Sequence, residues 1–213
     1  MWPGYVFTPG GSEQRMTTNS TLVAPRSKAG YARGKVVDAR FGRLVEMAME
    51  RGEGVYKHIA LKAPVPKGLA SRIRSIGPFS RAVLRELYIK QNLLPIGQQV
   101  PVMCSSLRLG TAVDIVCVDR NNPDGKHVVI VELKTGFKTK DIGNGYMRGP
   151  FRKVRNSAMN QHIKQVQLTT IMFAETFRWT KVIRSIVIVV NENGILVLDA
   201  PPASRIQFSQ VIQ

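Results

Sequence analysis

Acid is what this chain has least of. Its 14 aspartates and glutamates face 31 lysines and arginines, a formal net charge of +17. Such an imbalance favours a polyanion, because each phosphate neutralised releases counterions, and it implies binding that weakens steeply with salt. Nucleic acid is the first partner expected, ahead of the plainer uses of positive charge as a ribosomal-type scaffold or as a solubility device. Cysteine is scarce as well: Cys104 and Cys117 sit in apolar runs with no CxxC spacing, which speaks against a disulfide framework or a zinc site and for buried thiols in a reducing, intracellular compartment, the nucleus or another DNA-containing one included. The three histidines, His58, His127 and His162, show neither HxxxH nor HExxH spacing, so histidine-based zinc chemistry has no support. No GxxxxGK[ST] loop or GxSxG elbow is present, which removes nucleotide-driven energy coupling and acyl transfer. No apolar run approaches ~18 residues, and the opening MWPGYVFTPGG lacks the charged-then-apolar layout of a secretory signal, so neither membrane insertion nor export is expected.

What is there suffices for a folded domain. The chain has 213 residues, of which 44% are hydrophobic, enough for a proper core. Residues 1–30 mix Pro, Gly, Ser, Thr and Asn without periodicity and read as a flexible basic arm, leaving 31–213 as a single domain. From Gly34 to Glu50, Val37, Phe41, Leu44, Val45 and Ala48 recur at helical spacing. A second helix is expected from Pro78 through PFSRAVLRELYIKQNLL, with Val83, Leu84, Leu87 and Ile89 as its apolar stripe. Residues 98–104, 110–118 and 127–134 read as strands, the last two joined by the turn-rich DRNNPDGK. Residues 136–156 hold Lys138, Lys140, Arg148, Arg152, Lys153 and Arg155 against Asp141 alone and are expected to form a mobile basic loop. A helix over 157–177, with Ile163, Val166, Thr170, Phe173, Ala174 and Phe177 inward, precedes two further strands across NENG. The order ααβββαββ predicts an α/β or α+β fold, one sheet with helices on its faces.

One strand carries the chemistry. In KHVVIVELKTG, alternation puts Val128, Ile130, Glu132 and Lys134 on one face and Val129, Val131 and Leu133 on the other. Apolarity on both faces marks a central strand, where two charges at its end cost several kcal/mol unless paired, hydrated or bound to an ion. The strand before it holds Asp114. Two carboxylates brought to one end of a sheet repel by about 4 kcal/mol at ~4 Å with an effective dielectric near 20. A hard divalent cation removes that cost, and Mg²⁺ suits carboxylate oxygen while keeping waters and taking substrate phosphate. Lys134 would then orient or deprotonate an attacking water and offset charge on the scissile phosphate. The plainer account is a salt bridge between Glu132 and Lys134 at a strand end.

GTAVDIV, a hairpin and then VELKTG resembles the D…(D/E)xK signature of the PD-(D/E)XK nucleases, here Asp114, Glu132 and Lys134. The context is similar to that of herpesvirus alkaline nucleases, lambda-type exonucleases and RecB-like nuclease domains, over roughly residues 34–190. The resemblance implies a restriction-endonuclease-like core with a central mixed sheet flanked by helices. It implies a nuclease using Mg²⁺, with Mn²⁺ able to substitute. DNA stands ahead of RNA as substrate and exonuclease action ahead of structure-selective endonuclease action. It implies metal binding by Asp114, Glu132 and the Leu133 carbonyl, with Asp38, in GKVVD, as a metal-water ligand and Glu46 as its rival on the same helix. HIKQVQLTT resembles the Gln-containing helix of these enzymes and implies a catalytic role for Gln165, with Gln167 and Gln161 as alternatives. The six basic residues of 136–156 would hold the phosphate backbone. In one respect the chain departs from the pattern: related enzymes often carry a glutamate on the preceding strand, and GQQVPVMC offers Gln98 and Gln99 instead. A basic nucleic-acid-binding protein without turnover remains the reading of a different class.

Overall fold

A computed structural model of the chain describes residues 28–65, 67–105, 109–135, 145–147 and 151–202, with the main chain alone for 28–31 and 109. Helices α1 (Lys28–Arg51), α2 (Gly54–Leu61), α3 (Ala70–Arg74) and α4 (Pro78–Arg85) come first. Strands β1 (Leu93–Cys104), β2 (Leu109–Asp119) and β3 (His127–Thr135) follow, then α5 (Ala158–Thr176), β4 (Lys181–Asn191) and β5 (Gly194–Ala200). The strands form one mixed sheet in the order β1-β2-β3-β4-β5, with β3 and β4 parallel and every other pairing antiparallel. The expected architecture of one sheet with helices on its faces is therefore present.

A parallel pair cannot be joined by a tight turn, and the chain between β3 and β4 accordingly carries α5. That helix covers one face of the sheet, packing Val166, Met172 and Phe173 among Val116, Ile130 and Val187. Helices α1 to α4 cover the other, where Phe41, Leu44 and Leu87 meet Ile115, Val131 and Ile188. β3 is thus walled in on both sides: residues 128 to 134 are all buried, the two charged ones included. Both cysteines are buried and neither is in a disulfide among the described residues, and burial pushes the Cys117 thiol up from its ordinary range.

The elements differ from expectation where local chemistry intervenes. β1 begins at Leu93 and not near residue 98, running through Pro95 and Pro101; an edge strand tolerates proline because its outer N–H groups need no partner. The second helix stops early. α4 passes into a single π turn over Glu86–Lys90, and Asn92 takes a left-handed φ of 54°, so Leu93 and Leu94 enter β1. Its stripe holds for Val83, Leu84 and Leu87, but Ile89 is 48% exposed, because Tyr88, four residues after Leu84, takes the buried slot. In α5, Val166 and Phe173 are buried as expected while Ala174 is exposed, and Leu168 and Met172 turn inward instead. Within 136–156, the described parts are tied down and do not form a free loop. Phe151 is 2% exposed in the α5-side core, and Tyr146 and Arg155 form an antiparallel bridge.

Leu87→Ala should cost about 2–5 kcal/mol in urea unfolding, the range for truncating a fully buried side chain. Ile89→Ala should stay within about 0.5 kcal/mol of the parent, as an exposed position does.

Candidate active site

The site begins where the β2–β3 ladder ends. Backbone pairing between these strands runs from Val118↔Val128 to Ile115↔Val131 and goes no further. The next ladder partner of Leu133 would be Val113. Instead, Asp114 Oδ2 accepts the Leu133 N–H at 2.8 Å, so a side chain substitutes for the neighbouring backbone. The N–H and C=O of one antiparallel strand residue point to the same edge, so the Leu133 carbonyl opens onto the same gap. Asp114 Oδ1 accepts from Gln99 Nε2 at 3.2 Å. Gln99 lies opposite Asp114 in the β1–β2 register and takes a left-handed φ of 50°, at a break in the pairing between Gln98↔Ile115 and Val100↔Val113.

Glu132 and Lys134 share the α5 side of β3, as alternation requires. Glu132 is 2% and Lys134 9% exposed, and the Lys134 ammonium donates to Glu132 Oε1. The plainer account of the pair, a salt bridge at a strand end, is thus realised. Its burial separates it from a surface bridge: both charges are out of water, so removing either partner would strand the other.

The three glutamines of α5 sort themselves. Gln161 Nε2 donates to Asn156 Oδ1 at 2.8 Å. Gln167 is occupied at both ends, donating to the Pro201 carbonyl at 2.7 Å and accepting from Lys164 Nζ at 2.9 Å. Burial lowers the pKa of that Lys164 ammonium. Gln165 Oε1 is shut off from solvent and has no hydrogen-bond partner among the described residues. Gln165 and Gln167 lie about 200° apart around the helix, so with Gln167 committed to the end of β5, Gln165 turns to the opposite flank. That flank also carries Thr176, eleven residues on and about 20° away, whose hydroxyl bonds Met103 of β1. Gln165 therefore lies on the β1 flank of the helix with an acceptor to offer.

The helix acids are placed differently. Gly34 of α1 lies against Thr135 at the end of β3, and one turn further the Asp38 carbonyl accepts from Gln98 Nε2 at 2.9 Å. Gln98 pairs with Ile115, next to Asp114, so half-buried Asp38 reaches the same end of the sheet from the face opposite α5. Glu46 is exposed. Gln98 and Gln99 thus divide between the faces, one fixing α1 and the other Asp114. Gln99 is the contact that sequence reasoning passed over, since only the register revealed it as the partner of Asp114. Of the basic residues assigned to phosphate, Arg152, Lys153 and Arg155 are exposed just before α5, whereas Lys138, Lys140 and Arg148 lie outside the described residues.

Among the described residues no group of three or more His, Cys, Asp or Glu side chains gathers in a metal-binding cluster. The donor set still fits a hard divalent cation that completes its shell with water and phosphate oxygen, as Mg²⁺ does. Each carboxylate oxygen has two lone-pair sites, so Asp114 and Glu132 keep acceptor capacity beyond their present bonds. Among the described residues no helix is long and apolar enough to cross a membrane. No protein-family model matches the chain, and no curated protein matches it.

Asp114→Ala should speed hydrogen exchange of the Leu133 amide while the Val131 amide, inside the ladder, keeps its protection; Asp114→Asn, which retains an acceptor oxygen, should preserve both. Lys134→Met should destabilise by about 3–5 kcal/mol in urea unfolding, the scale of stranding a buried charge. Glu132→Gln combined with Lys134→Met should recover most of that loss, read as a coupling energy in a double-mutant cycle.

Proposed function

We propose that the chain is a Mg²⁺-dependent nuclease of the PD-(D/E)XK type, hydrolysing phosphodiester bonds in nucleic acid, with DNA ahead of RNA and exonuclease action ahead of structure-selective endonuclease action. The observation that carries this reading is the meeting of Asp114 with the Glu132–Leu133 peptide where β2 and β3 part, beside a buried lysine, in a chain of net charge +17. An ordinary strand end needs none of these groups. An ion there would be held by Asp114, Glu132 and the Leu133 carbonyl, with Asp38 reaching it through water. Bound Mg²⁺ supplies Lewis acidity toward phosphate oxygen and makes water a better nucleophile.

The remaining roles belong to the chain itself. Gln99 fixes the Asp114 carboxylate through Oδ1, and the Leu133 N–H fixes Oδ2, so its orientation is set before substrate arrives. Lys134, held on the α5 side, orients the attacking water and offsets negative charge as it gathers on the scissile phosphate. Gln165 brings an amide oxygen with no partner among the described residues, able to accept from that water. Arg152, Lys153 and Arg155 take phosphates further along, which positions the backbone without specifying sequence.

A second reading has its own support. Both Asp114 oxygens carry hydrogen bonds and Glu132 is paired with Lys134, a self-satisfied set suited to a basic nucleic-acid-binding protein without turnover. A digest of end-labelled single- and double-stranded DNA and RNA with Mg²⁺, Mn²⁺ or EDTA separates the two. Metal-dependent products are expected, and their absence from every substrate would leave the binding protein. In the active case Glu132→Gln and Asp114→Asn should abolish cleavage with nucleic-acid affinity within a few-fold of the parent. Lys134→Ala should lower turnover by ~10²-fold or more, the scale of losing a positioned acid–base or electrostatic group.

A further inference from the structure

Between β3 and α5, Tyr146 and Arg155 face each other across an antiparallel bridge. The Met147 N–H donates to the Val154 carbonyl at 2.9 Å and the Asn156 N–H to the Gly145 carbonyl at 3.0 Å. These bonds flank the bridge, so Tyr146 and Arg155 form a non-hydrogen-bonded pair, the kind whose side chains lie closest together and on one side. The hairpin is held from beneath. Met147 and Phe151 are 8% and 2% exposed in the core under α5, the Val154 N–H closes onto the Phe151 carbonyl at 2.7 Å, and Asn160 of α5 donates to the Arg155 carbonyl at 2.9 Å. The bridged pair itself faces water. Tyr146 is 62% exposed and Arg155 is exposed as well, with Arg152 and Lys153 on the intervening turn. No acidic side chain occurs among the described residues 145–147 and 151–157 to neutralise them.

A hairpin already anchored by Met147 and Phe151 has no folding use for a phenol ring and a guanidinium paired across the bridge and exposed to water. We propose that Tyr146 and Arg155 form a platform for single-stranded nucleic acid, the ring stacking on one unpaired base and the guanidinium holding an adjacent phosphate. The proposal rests on the nucleic-acid reading above and adds a preference for unpaired strands. Every base presents a π face, so stacking tolerates sequence, whereas bases in a duplex are already stacked on each other and cannot use the ring. Along the chain the platform lies between the strand that carries Glu132 and Lys134 and the helix that carries Gln165.

The test is fluorescence anisotropy with labelled single-stranded and duplex oligonucleotides of mixed sequence, in EDTA so that no cleavage intervenes, on the full chain and its variants. Tyr146→Ala should weaken single-strand binding by about 5- to 150-fold, the loss of one stacked base, and leave duplex binding within about 2-fold. Tyr146→Phe should bind as the parent does and Tyr146→Leu should not, since stacking needs a ring. Arg155→Ala should flatten the slope of log K against log salt for single strands by about 0.7, one phosphate contact. Parental single-strand affinity in Tyr146→Ala, an equal loss on duplex and single strand, or full rescue by leucine would each overturn the platform while leaving the nuclease reading in place. A parent chain that binds no nucleic acid would overturn both.

Discussion

A strand enclosed on both faces cannot carry charge unless that charge is answered where it stands, and β3 carries two. The structure answers Glu132 with Lys134 on the α5 side, each within reach of the other because a strand brings alternate residues to one face. Continuum reasoning and replacement experiments on other proteins agree that such a pair is seldom there for stability, since a packed apolar pair of similar volume does as well or better. The apolar residues before it, Val128 to Val131, show that this sheet can fill the same environment without charge. What the pair provides is a fixed carboxylate and a fixed ammonium in a region sheltered from water, where electrostatic effects are largest.

The second constraint follows from the first. Carboxylates on adjacent strands need separation, and the β2–β3 ladder gives it by ending at Ile115↔Val131. Opening a ladder exposes backbone donors, and the Asp114 side chain takes the one at Leu133. The same contact therefore satisfies the sheet and places a carboxylate against the peptide that follows Glu132. The left-handed turn at Gln99 completes it from β1: a non-glycine residue in that conformation is uncommon, and here it lies opposite Asp114 with its amide on Oδ1.

Residues 128 to 134 were legible in the sequence because a two-residue period and unbroken apolarity admit few other structures, and the shared face of Glu132 and Lys134 follows from counting alone; that this face lies under α5 does not. The five-stranded sheet was legible for a similar reason, since short apolar runs separated by turns and one long amphipathic segment leave few arrangements. Ile89 was misplaced because a stripe read at helical spacing cannot say which of two adjacent apolar residues turns in, and Tyr88 is as able to bury as isoleucine. The first part of β1 was hidden by Pro95 and Gly97, residues that argue against a strand unless the strand lies at an edge, which only the sheet order reveals. Choosing among Gln161, Gln165 and Gln167 needed tertiary partners: Asn156 and the Pro201 carbonyl engage two of them, and neither contact is written in the helix itself.

Where the acids go bears on how the positive charge can act. Glu50 pairs with Arg72, Glu86 with Lys90, Glu192 with Arg33 and Asp199 with Arg184, while Glu53 lies beside Lys57 and Arg120. The Tyr88 hydroxyl and then these cations hold the Glu53 carboxyl below its ordinary pKa. Each such pair cancels one positive charge locally, and the chain as a whole keeps a surplus of +17. A field of one sign speeds encounter with any polyanion and discriminates little among them. On the proposed reading, discrimination comes from short-range contacts, and the described residues offer two that are held in place: the Asp114 carboxylate on the Leu133 amide at the end of β3 and the paired ring and guanidinium of Tyr146 and Arg155.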